Sequence, residues 1–318
     1  MAHEELPPPT IQNLWPPNTD REYFKDGDAH PFRPFATSFE PVNAWWLAEA
    51  ALLAYAPEDF AREQFARAGL TNVKPFSRSG TQCYVAIGPD VAIAAFRGTQ
   101  VPKPGSDPDR VHLLLDVMKD VRDIADFRLV KFDKGGAVHA GFLGALDLVW
   151  SELKGWLETA VGGRPLWMTG HSLGGALATL ASDRLDGVRG LYTFGSPRVG
   201  DDAFAAHFRV TTYRFVHHRD IMPRVPPFGW YAGECRRGDY VHVGTLEYID
   251  GEGRLHDTMP PEVQSLSGLG RDLFESIVAA AGRLPLPSLV ALPREPFDDH
   301  APLYYALRAW KVCRDSRP

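Results

Sequence analysis

The sequence predicts an α/β protein built on a mostly parallel sheet with helices covering both faces. Two observations carry this expectation. From Phe127 to Val216 short β-rich runs alternate with helical runs, the pattern of a chain winding back and forth across a covered parallel sheet. Within that stretch Gly170-His171-Ser172-Leu173-Gly174 joins an apolar run to a helical one through a glycine-rich junction, where a strand turns sharply into a helix. Composition agrees: the 318 residues are 44% apolar and 23% charged, too apolar for a disordered chain.

Residues 1–42 hold Pro7, Pro8, Pro9, Pro16, Pro17, Pro31, Pro34 and Pro41, so an extended arm is expected, packed on the body through Trp15, Tyr23, Phe24 and Phe32. Asn43–Ala56 and Glu58–Ala68 read as helices parted at Pro57. Gln82–Ile87 and Val91–Phe96 flank Gly88-Pro89-Asp90 and form a hairpin signal. Phe127–Phe132 is a strand candidate. Phe142–Thr159 is helical, with Phe142, Leu146, Val149, Leu153 and Trp156 at helical spacing. Leu166–Thr169 is a strand, Gly174–Leu185 a helix, Leu191–Phe194 a strand, Asp201–Phe208 a helix and Val210–Val216 a strand. Tyr240–Gly244 is β-like. Residues 43–318 read as one domain with an insertion over about 251–293, where Glu262–Arg283 is an amphipathic helix and Leu284–Pro293 a Pro-broken apolar run.

Net charge is 34 − 40 = −6, which leaves no basic excess to neutralise phosphates and argues against nucleic-acid binding. The longest near-apolar stretch, Ala44–Ala56, is interrupted by Glu49 and falls short of the ~20 residues of a membrane span. The N-terminus lacks the basic and apolar regions of a secretory leader. Cys83, Cys235 and Cys313 are far apart and odd in number, which suggests neither a disulfide framework nor a metal site. A cytoplasmic protein without cofactor or metal is expected.

A serine hydroxyl is a weak nucleophile near neutral pH and needs a base to take its proton and a carboxylate to fix that base's tautomer. In the strand–turn–helix setting of Ser172 the chain order is serine, acid, histidine. The loop after Val210–Val216 carries Asp220 just past a strand end. Asp201 and Asp202 start a helix and read as caps; Asp239, Asp250 and Asp257 follow later. For the base, His242, His256 and His300 remain, His242 being within a β-like run. His217 and His218 read as local packing or loop contacts. The N–H of Leu173, just after the serine, is one oxyanion donor.

Several segments together resemble the fungal-type lipases, or lipase class three. They are Phe96-Arg97-Gly98-Thr99, Val138-His139-Ala140-Gly141-Phe142, Gly170–Ala176, Thr193–Gly200, and the late Asp298-Asp299-His300 before a Tyr-containing helix. The resemblance runs from about residue 80 to 230 and resumes near 298. It implies an α/β-hydrolase fold, carboxylic-ester hydrolysis, Asp220 and His300 as acid and base, and Thr99 as the second oxyanion donor. It further implies that about 101–118, after the oxyanion residue, forms a helical lid. His139 and His171, within its motifs, are expected to hydrogen-bond around the elbow. The 80 residues between Asp220 and His300 suggest an insertion.

The expected protein is thus a serine hydrolase acting on acylglycerols or similar lipid esters at a lipid–water interface. A phospholipase A1, a feruloyl-type esterase or an acyltransferase would use the same residues. A non-catalytic lipid-binding protein on this fold is the alternative of a different class.

Overall fold

The computed structural model describes residues 6–99, 126–227, 240–266, 268–272 and 295–316. In chain order the elements are α1 (Ile11–Leu14), α2 (Pro41–Leu53), α3 (Glu58–Arg67), β1 (Asn72–Arg78), β2 (Thr81–Ile87), β3 (Ala92–Phe96), β4 (Leu129–Lys131), β5 (Ala137–His139) and α4 (Ala140–Ala160). Then come β6 (Leu166–His171), α5 (Leu173–Arg184), β7 (Val188–Phe194), α6 (Asp202–His207), β8 (Thr212–His217), β9 (Thr245–Ile249), β10 (Leu255–His256), α7 (Pro261–Gln264), α8 (Glu295–Asp298) and α9 (Pro302–Asp315).

The main sheet runs β1-β2-β3-β6-β7-β8-β9-β10. Strands β3, β6, β7, β8 and β9 are parallel, and antiparallel strands flank them on either side. Both faces are buried, and side chains alternate between them as the period of two requires. On β3, Ile93 and Ala95 face one core, with Trp167 of β6 and the helices α2 and α9. Ala92, Ala94 and Phe96 face the other, with Met168 of β6 and the helices α4 and α5. Helix α4 turns Phe142, Leu146, Val149, Leu153 and Leu157 into this second core, the stripe of an amphipathic helix. Helix α2 differs: Asn43 to Leu53 are all buried. It lies between the sheet and α9, with Thr169 Oγ1 donating to Leu47 O at 3.0 Å and the Trp45 and Trp310 rings 4.6 Å apart.

The proline-rich arm crosses the α2 side of the sheet. Trp167 Nε1 donates to Pro34 O at 3.0 Å, Arg189 Nε to Ala36 O at 2.9 Å, and Glu40 N to Tyr192 Oη at 3.2 Å. Tyr23 and Phe24 are buried with α2 and α3. A segment whose prolines lack N–H donors is thus held by two side-chain donors from the sheet and gives one N–H back.

Several expectations change. Strand β1 was not anticipated: its pattern is polar and it contains Pro75, tolerable because β1 is the sheet's edge. The Phe127–Phe132 strand forms as β4 and, among the described residues, pairs with β5 alone, outside the main sheet. Tyr240–Gly244 contributes one bridge, Val241 to Gly200, and the strand follows at β9. Residues 255–256, placed in an insertion, are β10 against β9. Of the expected Glu262–Arg283 helix, α7 is a single turn that closes at Ser265, and 268–272 are helical again. The rest of that run, Leu284–Pro293 and the expected lid at 101–118 lie outside the described residues.

Candidate active site

The junction of β6 and α5 places Ser172 at φ 56° and ψ −129°, a backbone conformation that costs a non-glycine residue about 1–3 kcal/mol. The surroundings enforce it. A Cβ on Gly170 would lie 2.2 Å from Gly174 O, and one on Gly174 would lie 2.1 Å from Phe96 O. Only glycines let the strand, the turn and the neighbouring β3 approach so closely. Ser172 N donates to Phe194 O at 2.9 Å, which fastens the turn to the end of β7. The Ser172 side chain does not cap α5, so its hydroxyl is not used up by the helix. Leu173 opens α5, where the first N–H groups have no intrahelical acceptor and the dipole is positive.

Asp220 lies three residues past β8 and is fully buried. Its Oδ1 accepts from Met222 N at 2.8 Å, an Asx turn that fixes the carboxylate's direction. Its Oδ2 accepts from His300 Nδ1 at 2.8 Å and from Tyr305 Oη at 2.6 Å. His300 sits between α8 and α9, and with Nδ1 donating, its Nε2 is the nitrogen left to accept a proton. Gly195, at φ 60° after β7, makes room for this pair: a Cβ there would lie 2.8 Å from Asp220 Oδ2 and 2.9 Å from His300 Nδ1.

The structure therefore brings Asp220 and His300 together, beside the ends of β6, β7 and β8. Ser172 is at the end of β6, and the His171 ring next to it lies 4.5 Å from the His300 ring. Among the described residues, the side-chain hydrogen bond of His300 is the one to Asp220. Thr99 follows Gly98, whose Cβ position is 3.1 Å from Ser172 Cβ, so Thr99 and Leu173 flank the serine from two chain segments.

The other candidates lie elsewhere. Asp201 Oδ1 accepts from Phe204 N at 2.8 Å as the cap of α6. His256 Nε2 meets Asp250 Oδ2 at 2.9 Å on the β9–β10 hairpin. His242 donates through Nε2 to Pro223 O at 2.7 Å. Burial first, and then the charges of Arg214 and Arg198, push its pKa well down. Asp239 is outside the described residues. His139 is not at the elbow: its Nδ1 accepts from Phe142 N as the N-cap of α4, and burial drives its pKa down to about 3.

Three participants escaped the sequence reading. Tyr305 holds Asp220, Tyr55 Oη meets His171 Nδ1 at 2.8 Å, and Asp299 ties the His300 segment to β8. Tyr305 stays a hydroxyl donor because burial, and secondarily the Asp220 charge, hold its pKa well above normal. Only its place five residues after His300 hinted at it.

Residues 93–230 match the family profile "Lipase (class 3)". A secreted mono- and diacylglycerol lipase 1 from Fusarium solani is 38% identical over 146 residues, 42% of this chain and 41% of that protein. A lipase from Rhizomucor miehei is 36% identical over 152 residues, 41% of this chain and 42% of that protein. The matched stretch thus spans about two fifths of these relatives' length. A crystal structure of a fungal lipase superposes with a TM-score of 0.50 at 24% identity, covering 70% of this chain and 87% of that one, so the two share the α/β-hydrolase fold. The relatives correct the cytoplasmic expectation. The Fusarium solani protein is secreted by name, as is the mono- and diacylglycerol lipase A of Penicillium cyclopium. Cysteine number does not set the compartment, and Cys83 and Cys313 are both buried.

Proposed function

We propose, from the match of residues 93–230 to the class 3 lipase profile, that the protein is a serine carboxylic-ester hydrolase acting on acylglycerols. The observation that carries the reading is the strained Ser172 on its glycine-lined turn, with the hydrogen-bonded His300–Asp220 pair beside the adjoining strand ends. Among acylglycerols, mono- and diacylglycerols come first, because two similar relatives bear that activity in their names.

In the proposed reaction His300 Nε2 takes the Ser172 proton as Oγ attacks the ester carbonyl. The developing oxyanion is received by the N–H groups of Leu173 and Thr99, each such donor contributing about 3–4 kcal/mol to the transition state. Asp220 holds the His300 tautomer and balances the imidazolium. The intermediate collapses with the leaving alkoxide taking the proton from His300. A water, deprotonated by His300, then attacks the acyl-enzyme and releases the fatty acid and Ser172.

The test is hydrolysis of p-nitrophenyl esters of increasing acyl length and of a triolein emulsion, wild type against Ser172→Ala. Turnover of long chains or emulsion that vanishes in Ser172→Ala supports the reading. Turnover of short soluble esters alone makes the protein an esterase on a lipase frame. Equal inertness of both proteins overturns the hydrolase reading and favours lipid binding.

A further inference from the structure

His300 lies on a short connection between two helices, yet its backbone is gripped from two strands. His171, the last residue of β6, meets His300 O through Nε2 at 2.8 Å. His217, the last residue of β8, meets Asp299 O through Nδ1 at 3.0 Å. A carbonyl only accepts, so each of these ring nitrogens carries the proton. The side chain of Asp299 adds a further tie, its Oδ2 accepting from His218 Nδ1 at 2.9 Å and from Arg219 N at 3.1 Å.

We propose that His171 and His217 are positioning residues, whose N–H groups clamp the consecutive carbonyls of Asp299 and His300 and so hold the His300 ring against Asp220 beside the Ser172 turn. The proposal rests on the serine-hydrolase reading and goes beyond it, since neither histidine exchanges a proton with substrate.

The choice of residue has a physical reason. The His300 ring must become positively charged during turnover, and the His171 ring is 4.5 Å from it. A lysine or arginine donor there would oppose that charge. A neutral imidazole donates without it. Burial, and for His171 the neighbouring His300 charge, push both pKa values down and keep the clamps neutral. The tautomers agree with the assignment. Tyr55 Oη donates to His171 Nδ1 at 2.8 Å, leaving Nε2 as donor, and among the described residues His217 Nε2 is buried with no acceptor beside it, so the proton belongs on Nδ1. Gly98 keeps room for the first clamp, because a Cβ there would lie 2.1 Å from Tyr55 Oη.

The experiment compares His171→Leu and His217→Leu, which remove the donors, with His171→Gln and His217→Asn, whose amides restore one at the matching reach. Three measurements are made on the full chain: kcat and KM with p-nitrophenyl butyrate, the rate at which a fluorophosphonate modifies Ser172, and the low-field proton resonance of the His300–Asp220 bond. The leucine variants are expected to lose about 10–100-fold in kcat with KM within about twofold, the signature of a misplaced group rather than lost binding. Phosphonylation slows in parallel, the low-field resonance broadens, and the amide variants recover much of the loss. Leucine variants that keep wild-type kcat, or amide variants as slow as leucine ones, overturn the proposal. Where a leucine variant does not fold, the amide variant decides: a retained low-field resonance supports the clamp and a lost one overturns it. A wild type inert to both ester and phosphonate sinks the hydrolase reading separately. The resonance alone then judges the clamp, supporting it if lost in the leucine variants and overturning it if unchanged.

Discussion

Tyr305 Oη and His300 Nδ1 donate to the same oxygen of Asp220, at 2.6 and 2.8 Å. The tyrosine hydroxyl also accepts from His217 N at 3.0 Å. Asp220 is therefore a buried carboxylate with three donors from the protein, Met222 N, His300 Nδ1 and Tyr305 Oη, and helix α9 provides two functions: it follows the His300 turn and sends Tyr305 back beneath it.

Replacing Tyr305 by Phe removes one donor to a buried charge and leaves His217 N without its acceptor. Hydrogen bonds to charged groups contribute about 1.5–3 kcal/mol, so urea unfolding of Tyr305→Phe should show a loss of that size. The kcat for ester hydrolysis should fall by roughly tenfold. Unchanged stability and turnover would show that Asp220 does not depend on this bond.

Strain at the elbow predicts an inverted preference at position 172. Ser172→Ala keeps the unfavourable φ of 56°, whereas Ser172→Gly relieves it. After allowing for glycine's greater freedom in the unfolded chain, Ser172→Gly should be more stable than Ser172→Ala by about 1 kcal/mol. Both variants should lack esterase activity. Calorimetric unfolding of the pair checks this directly; a less stable glycine variant would mean that the turn is not strained.

Glu49 is fully buried in the middle of α2 and is ion-paired with Arg21 of the arm, with Trp45 Nε1 donating to it at 3.3 Å. Removing one partner of such a pair leaves a buried charge uncompensated, at a cost of about 3–5 kcal/mol. Arg21→Ala should therefore destabilise the protein by that amount, and adding Glu49→Gln should restore part of it. Proteolysis of the arm gives an independent readout: Arg21→Ala should be cut faster within residues 6–40.

Glu247 on β9 is buried, and burial, with the nearby Asp257 charge, raises its pKa from 4.5 to about 7. Between those values the folded state holds a proton that the unfolded state has released. Its contribution to stability therefore falls as pH rises through this window, and the loss is complete above about pH 7. Glu247→Gln, which cannot ionise, should gain about 1–2 kcal/mol on wild type between pH 5 and pH 8, a figure reduced for solvent screening. Denaturant unfolding of both proteins at the two pH values tests the sign as well as the size.

What the sequence alone determined is local. The hairpin of β2 and β3, the helix α4 with its apolar stripe, and the junction Gly170–Gly174 are each specified by neighbouring residues, through turn chemistry, side-chain periodicity and steric room. The resemblance of the late Asp298-Asp299-His300 segment and of the loop after β8 pointed to Asp220 and His300, which the fold joins by a hydrogen bond across 80 residues. Other features depend on partners remote in the chain. β1 is a strand because β2 lies beside it, despite Pro75. β9 exists because β8 offers a parallel neighbour, whereas the more β-like Tyr240–Gly244 finds only one bridge. The grips of His171 and His217 on the His300 backbone, and of Tyr305 on Asp220, span 129, 82 and 85 residues. A hydrogen bond is satisfied by whatever donor the packed chain brings within reach, and no local pattern encodes which one that will be. Tertiary structure alone therefore decided how Asp220 and His300 are held, and why small residues stand at Gly98 and Gly195.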